Sequence, residues 1–139
     1  MSYETHWEPE GIRWVYSGVM TDDDILRSNL ELYDDPRFDT LKYQIADLRR
    51  VESFEGSARA VRRLSRMDRD QASRNPNVKV AILAGEALVR GIANVYAMSG
   101  VDAPWETRIF ESEDDAREWL ARATDGSGGS EASEASVGD

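Results

Sequence analysis

The stretch that decides the fold is ADLRRVESFEGS, residues 46–57. It begins in the last part of an apolar strand, residues 42–48, which includes Asp47. A polar turn with Ser53 and Ser57 follows, and an amphipathic helix starts directly after it. A strand that passes through a turn into a helix is the repeating step of α/β proteins. The stretch therefore predicts an α/β fold, and its serines raise the question of whether the turn also has a function.

The same step recurs along the rest of the chain. Alternating or apolar runs predict five strands, at residues 3–8, 11–20, 42–48, 78–83 and 105–110, and helical periodicity predicts four helices, at about 22–34, 57–73, 86–99 and 113–122. The first two strands indicate a β-hairpin, and residues 78–83, VKVAIL, indicate a central strand buried on both faces. This order predicts one domain over residues 1–123, an N-terminal hairpin followed by βα units, with a mostly parallel five-stranded sheet. Residues 124–139 are polar and acidic and predict a flexible tail.

The start of the first helix is marked by Thr21 and the three aspartates that follow it. A threonine with an acid three residues later is a capping signal, and the clustered acids favour the positive end of the helix dipole. We therefore expect a helix cap here rather than a magnesium site. Leu26, Leu30 and Tyr33 follow at helical spacing.

Composition excludes several classes of chemistry. Cysteine is absent and His6 is the single histidine, which excludes disulfides, thiol nucleophiles and metal sites made of several histidines in one chain. Neither Gly85 nor Gly91 belongs to a phosphate-binding glycine motif, so we expect no cofactor and no catalysis. No apolar run approaches the ~20 residues that span a bilayer, and the N-terminus lacks signal-peptide features. We expect a cytoplasmic protein without an integral membrane segment.

The chain is strongly acidic, with a formal net charge of −10. Phosphate backbones need a positive surface, so nucleic acid is not an expected partner. Fifteen of the 17 basic residues are arginines, the exceptions being Lys42 and Lys79. Such a composition is typical of a halophile, whose acidic surface keeps proteins soluble in brine, and also of a GC-rich genome. We favour the halophile interpretation.

The least ordinary feature is a set of arginines on one side of the second helix. They are Arg59, Arg62, Arg63, Arg66, Arg69 and Arg74. The arc favours either a solvated face paired with Asp70 and neighbouring acids, or a docking surface for an acidic partner, another subunit or an anionic headgroup. The expected contact region extends from Asp47 to Arg66. On the apolar side of the helix lies Asp68, which we expect to reach water near a frayed helix end.

The order of the motifs is similar to that of a known domain family. The residues concerned are Asp47-Leu48, Val80-Ala81-Ile82, Gly91, Tyr96, Phe110, Ala116, Trp119 and Leu120. Over roughly residues 5–122 the chain resembles the SpoIIAA-like, or STAS/SEC14-type, bacterial domains. The resemblance implies a compact α/β fold and a regulatory or protein-interaction module that is not an enzyme. Related members are described as binders of lipids or other small ligands, so the resemblance does not fix a function.

The resemblance also implies where a regulatory serine would lie. Anti-sigma-factor antagonists of this fold carry a phosphorylatable serine, usually after an aspartate, nine residues past the aspartate of the strand. Here that position is Gly56, preceded by Glu55, and the nearest serines are Ser57 and Ser53. A phosphate at a helix N-terminus is electrostatically favourable, but serine is also the ordinary N-cap residue. The sequence leaves open a phosphorylation switch and a simple helix cap.

Four aromatic residues could line a pocket for an apolar or lipid-like ligand between helices and sheet: Trp14, Tyr16, Tyr96 and Trp105. Aromatic residues on strands also serve as core or dimer interface, and the aromatic hairpin makes a homodimer possible. The expected function is therefore a non-catalytic module that docks an unidentified protein partner. The alternative is a small-ligand binder, which should contain an apolar cavity of a few hundred Å³.

Overall fold

The computed structural model describes residues 3–99 and 105–124. The strands within these ranges are β1 (Tyr3–Trp7), β2 (Gly11–Thr21), β3 (Tyr43–Glu55), β4 (Lys79–Leu83) and β5 (Glu106–Phe110). The α-helices are α1 (Asp22–Tyr33), α2 (Ala58–Ala72), α3 (Glu86–Ser99) and α4 (Glu113–Thr124), and a short 3₁₀ helix (Pro36–Thr40) follows α1. The predicted order of elements is confirmed. Because α4 continues to Thr124, the rest of the predicted tail lies outside the described residues.

The five strands form one sheet in the order β1-β2-β3-β4-β5. The pair β1–β2 is antiparallel and the other three pairs are parallel, which confirms the predicted hairpin and mostly parallel sheet. Helices cover both faces. The helices α1, α2 and α3 pack on one face, and α4 packs on the other, over β3, β4 and β5.

The strand β3 is much longer than the predicted 42–48. It continues to Glu55 because its second half pairs with the second half of β2, from Ser17 to Thr21. Two register shifts interrupt this pairing, and Gly18 between them has φ 67°, a conformation that glycine adopts without a steric penalty. The polar residues after Asp47 are therefore strand rather than turn. Ser53 lies inside this strand, opposite Val19, and cannot cap α2.

The strand β4 is central in the sheet but is not buried on both faces as predicted. Ala81 and Leu83 are fully buried under α4. Val80 and Ile82, on the other face, are only half-buried. The helices on that face do not close completely over the sheet, which leaves a space above β4.

The start of α1 confirms the predicted cap. Thr21 accepts a hydrogen bond from the backbone N of Asp24, and the Asp24 carboxylate accepts one from the Thr21 backbone N, which together form a capping box. The inner face of the helix differs from the predicted one: Leu30 is 47 % exposed. Ser28 is buried instead and hydrogen-bonds Tyr16 Oη at 2.6 Å. None of the helices in the described ranges is both long and apolar enough to span a bilayer.

Candidate functional site

A cavity of about 530 Å³ lies between the sheet and the helices α1, α2 and α3. Its lining is mostly apolar and includes three of the four aromatic residues predicted to form a pocket, Trp14, Tyr16 and Trp105. The side chain of the fourth, Tyr96, lies outside the described residues. The volume falls in the range of about 300–1,000 Å³ that is usual for ligand pockets.

The register of the strands orders the floor of the cavity into two rows. Ile12, Gln44, Val80 and Thr107 are paired in sequence across β2, β3, β4 and β5, near the amino-terminal ends of the parallel strands. Trp14, Ala46, Ile82 and Ile109 form the next row, two residues farther along. Side chains two residues apart share a face, so both rows point towards the helices. The first row contains two polar residues and the second is entirely apolar.

Gln44 is the residue of the cavity lining that has a buried polar atom without a hydrogen-bond partner in the described residues. The residue is only 4 % exposed, and its Nε2 has no hydrogen-bond partner in the described part of the chain. The other polar residues of the wall have partners: Asn29 Nδ2 donates to the Ile25 carbonyl at 2.8 Å, and Thr107 Oγ1 donates to the Trp105 carbonyl at 3.0 Å. An unpaired buried donor costs about 1–3 kcal/mol, so a group that accepts from Gln44 would be stabilising.

Asp68 lies in the wall of the cavity rather than at a frayed helix end, which corrects our expectation. It is held in the interior by the Tyr33 hydroxyl, which donates a hydrogen bond to its Oδ1. Burial raises the pKa of Asp68 to about 7, although the hydrogen bond from Tyr33 opposes this shift. The carboxyl group can therefore be protonated near neutral pH.

Asp68 and Tyr33 form a hydrogen-bonded pair of titratable groups whose pKa values are both raised. Burial and the neighbouring Asp68 raise the pKa of Tyr33, so the phenol stays protonated at neutral pH and offers no phenolate as a base or nucleophile. Tyr33 does not reach the cavity wall, so one carboxyl group is what a bound molecule would meet. Nowhere in the described ranges do three or more His, Asp or Glu side chains gather as a metal site.

The predicted arginine surface is present on the outer side of α2. Its members are Arg59, Arg62, Arg63, Arg66 and Arg69, all exposed except the half-buried Arg62. None of the five forms an ion pair or side-chain hydrogen bond with another residue in the described ranges. Asp70, which was expected to pair with them, makes no ion pair there. We call these five residues the arginine face.

Arg74 belongs to a different environment. It pairs with Asp39 at 2.8 Å, and its guanidinium lies 4.9 Å from the centre of the Phe38 ring. It also donates to Gln71 Oε1 at 2.7 Å. These contacts anchor the end of α2 to the segment after α1, so Arg74 is not available to a partner.

Asp47 does not lie beside the arginine face. Its side chain points to the α4 side of the sheet and accepts hydrogen bonds from Arg13 at 2.8 Å and from Arg49 at 2.8 and 2.9 Å. Burial alone would raise the pKa of Asp47, but the hydrogen bonds from Arg49 and the positive charges of Arg49 and Arg13 together hold the pKa below its usual range. Glu113 of α4 joins the same arginines at 3.2 and 3.3 Å. The geometry gives Asp47 a local role in joining β2, β3 and α4.

Ser57 is the N-cap residue of α2. Its Oγ accepts from the backbone N of Ala60 at 3.1 Å. The same hydroxyl donates to Asp22 Oδ2 at 2.7 Å, and the Ser57 backbone N donates to Asp22 Oδ1 at 2.7 Å. A phosphate on Ser57 would have to displace the Asp22 carboxylate. Asp22 therefore occupies the anion position that a phosphoserine would need.

The family's serine position is closed in this chain. A Cβ atom at Gly56 would lie 2.6 Å from Phe54 Cζ and 2.9 Å from Ile25 Cδ1. Real Cβ atoms do not approach other carbons this closely, so a serine at this position would require Phe54 to move. The packing above the cavity thus uses the absence of a side chain at Gly56.

Comparison with solved structures shows what this architecture is similar to. An uncharacterised protein of the DUF3478 family with a SpoIIAA-like fold, from Shewanella loihica, matches with a TM-score of 0.52 at 17% identity, over 85% of this chain and 91% of that one. The anti-sigma factor antagonist SpoIIAA in its unphosphorylated form matches with a TM-score of 0.55 at 11% identity, over 86% and 97%. The chain has a SpoIIAA-like fold. The Bacillus cell fate determinant SpoIIAA in the phosphorylated form also matches, with a TM-score of 0.54 at 13% identity, over 85% and 98%.

Comparisons at the level of sequence add nothing to this fold. No known family profile matches the chain, and no curated protein matches it either. The SpoIIAA-like fold predicted from the order of motifs is thus confirmed by three-dimensional similarity alone.

Sequence reasoning missed two residues of the site. Gln44 was counted as one member of an apolar strand, although a glutamine inside the run KYQIADL is itself a signal of a buried polar group. Asp22 was interpreted only as a first-turn acid of α1. Its bond to Ser57 joins residues 35 positions apart and has no sequence signature.

Proposed function

We propose that the protein is a non-catalytic regulatory module that docks an acidic protein partner through the arginine face of α2. The observation that carries this proposal is the arginine face itself, five cationic side chains that form no ion pair in the described ranges, in a chain of net charge −10. The SpoIIAA-like fold supports it coarsely, because a structural neighbour is described as an anti-sigma factor antagonist.

The physical argument concerns the cost of leaving these charges together. Like charges on one helix repel each other, and the acids elsewhere on the chain offer no paired contact to offset this repulsion. A partner with a complementary acidic surface would remove the repulsion and would be steered towards α2 by its charge. Arginine also forms bidentate hydrogen bonds with carboxylates, which adds geometric specificity. Such binding should weaken as salt concentration rises.

The test is capture of partners by cross-linking from the protein's own cells, followed by measurement of affinity with the purified partner. We expect the double variant R66E/R69E to bind at least about tenfold more weakly than the wild type. The matched control is R50E/R122E, which makes the same change in charge at exposed arginines outside α2. Equal loss in both variants would mean that only net charge matters, and no loss in either would remove the docking proposal.

Phosphorylation of Ser57 is a proposed means of regulating this module. A phosphate there would expel Asp22 from the N-terminus of α2 and loosen the contact between α1 and α2. Ser53, on β3, is the second candidate. Intact-mass measurement of protein from its own cells, wild type against Ser57→Ala and Ser53→Ala, tests both sites. An unmodified wild-type mass under all growth conditions would remove the switch.

A second candidate function is binding of a small apolar ligand, and the specific observation that favours it is the 530 Å³ cavity. Native mass spectrometry of protein from its own cells tests it directly. An added mass that disappears on denaturation would support ligand binding, and the same spectra give the oligomeric state. A bare chain that also fails to take up an apolar dye would remove this candidate.

A further inference from the structure

We propose that the cavity takes an uncharged single-chain amphiphile with a carboxamide-like polar end, which accepts a hydrogen bond from Gln44 and donates one to Asp68. The inference rests on the second candidate function, ligand binding in the cavity, and assigns the chemical class of the ligand and its orientation.

The two rows of the cavity floor set the orientation. The polar row contains Gln44 and Thr107 and lies near the amino-terminal ends of the strands. The helix α2 runs from the end of β3 back towards the start of β4, so Asp68, in its second half, approaches the same end of the sheet. Gln44, Thr107 and Asp68 therefore lie towards the same end of the cavity.

Away from this end the lining is mostly apolar, with the exception of Arg90 of α3, which pairs with Glu86 at 3.5 Å. Ala46, Ile82 and Ile109 form the floor there, and Val61 and Leu64 of α2 form the roof. A hydrocarbon chain that leaves water for this surface is stabilised by about 25 cal/mol per Å² buried.

The chemistry of the ligand's polar end follows from the unused hydrogen-bonding capacity of the cavity lining. Gln44 lines the cavity, and its Nε2 is a buried donor without a partner in the described residues. Rotation of this amide towards the cavity would let an acceptor of the ligand pair with it. The Asp68 carboxyl accepts one bond from Tyr33, and a carboxylate has room for about four, so the ligand should also bring a donor. A primary amide supplies both from adjacent atoms.

Charged ends fit this site less well. An amine would meet Asp68 but would leave Gln44 unpaired, since an ammonium group has no acceptor. A carboxylate would accept from Gln44 but would be repelled by the ionised Asp68. In both cases a charge would also enter an apolar cavity, which is costly without full pairing.

The test compares ligands of one chain length on the full chain at slightly alkaline pH. Phenylnaphthylamine, an apolar fluorescent dye, reports on occupancy of the cavity, and decanamide, methyl decanoate, decylamine and decanoic acid compete with it. We expect decanamide to displace the dye best, by about fivefold or more over methyl decanoate, which keeps the carbonyl and lacks the N–H groups.

A pair of variants tests whether the preference for decanamide depends on Gln44. Gln44→Leu should keep dye binding and lose about fivefold or more in affinity for decanamide, whereas Gln71→Leu, at a glutamine outside the cavity lining, should change neither. If Gln44→Leu does not fold, the comparison of the four competitors on the wild-type protein still tests the inference.

The possible outcomes separate the inference from the function on which it rests. If the dye binds but decylamine or decanoic acid competes more tightly than decanamide, the inference is overturned. The same holds if decanamide competes no better than the other ligands. In both cases the ligand-binding function itself would remain supported. Failure of the dye and of all four competitors to bind would overturn both.

Discussion

Asp68 is a carboxyl group in a buried position where its ionised form is poorly solvated. Its carboxyl group faces an apolar cavity and is bonded to the Tyr33 hydroxyl without a cation beside it in the described residues. Ionisation of such a group is opposed by the loss of hydration. The folded protein therefore binds a proton here more tightly than the unfolded chain does.

The linkage between this proton and folding gives a pH dependence of known sign. The pKa of Asp68 is raised from 3.8 to about 7, so its stabilising protonation is complete below the unfolded value and is lost as pH rises through about 7. We expect Asp68→Asn to gain about 2–4 kcal/mol in stability relative to the wild type between about pH 4 and pH 8, because a tenfold difference in proton affinity is worth about 1.4 kcal/mol. Urea denaturation of both proteins across this range measures the effect.

The control for this prediction is Asp70→Asn, two residues away at an exposed position of the same helix. It should leave the pH profile of the wild type unchanged. Parallel profiles of the wild type and Asp68→Asn would show that Asp68 titrates normally and reaches water.

Asp22 connects two helices through one carboxylate. It is the first residue of α1 and accepts both hydrogen bonds of Ser57, at the N-terminus of α2. Two helix dipoles therefore present their positive ends to the same side chain.

We expect Asp22→Ala to lower the free energy of unfolding by about 1–3 kcal/mol, because two charge-assisted hydrogen bonds are lost and two donors lose their acceptor. Asp23→Ala is the matched control, since within the described part of the chain this neighbouring acid forms just one ion pair, an exposed one with Arg27. Its cost should stay below about 0.5 kcal/mol in the same urea titration. Equal costs would indicate a general dipole effect rather than the bond to Ser57.

At the scale of elements, the sequence predicts what depends on periodicity and fails where partners are distant. The helix α2 was placed within one residue at each end because its apolar residues recur at helical spacing. The length of β3 was not predictable, since residues 49–55 are mostly polar and become a strand only by pairing with β2. Local propensity carries no information about that partner.

The candidate site was likewise predictable where it depends on local sequence and not where it depends on distant partners. Aromatic residues on strands predicted a pocket, and Trp14, Tyr16 and Trp105 do line one. The unpaired state of the arginine face and the position of Asp47 on the other side of the sheet depend on which acids come close in space. That information arises only from the assembled fold.

The space above β4 gives a prediction about packing. Ala46 lies on the cavity floor between Trp14 and Ile82, and replacing it with leucine adds apolar atoms to unfilled volume. We expect Ala46→Leu to raise Tm by about 4 °C, which corresponds to about 1 kcal/mol, and to weaken dye binding. Ala87→Leu, at an exposed site of α3, should do neither. A lower Tm with unchanged dye binding would show that the cavity at Ala46 is already closed.

At the scale of the whole molecule, the net charge of −10 opposes compaction. Added salt screens this repulsion, so we expect Tm to rise steadily from low to molar KCl, as the halophile interpretation also requires. Thermal melts followed by circular dichroism measure this. A flat or falling Tm would contradict both the repulsion argument and the halophile interpretation.

The helix α2 joins the two proposed activities. Its outer side is the arginine face, and its inner side contributes Val61, Leu64 and Asp68 to the cavity. A ligand that changes the position of α2 would change the affinity for a partner, and by linkage the partner would change the affinity for the ligand by the same factor.

The cavity also gives the molecule a mechanical property. Space that packing leaves open contributes to the volume of the folded state and disappears when the chain unfolds into water. Hydrostatic pressure favours the smaller volume, so an empty cavity of this size makes the domain sensitive to compression. A bound molecule that occupies the space would remove that sensitivity, and the pressure at which the protein unfolds would then report whether the cavity is filled.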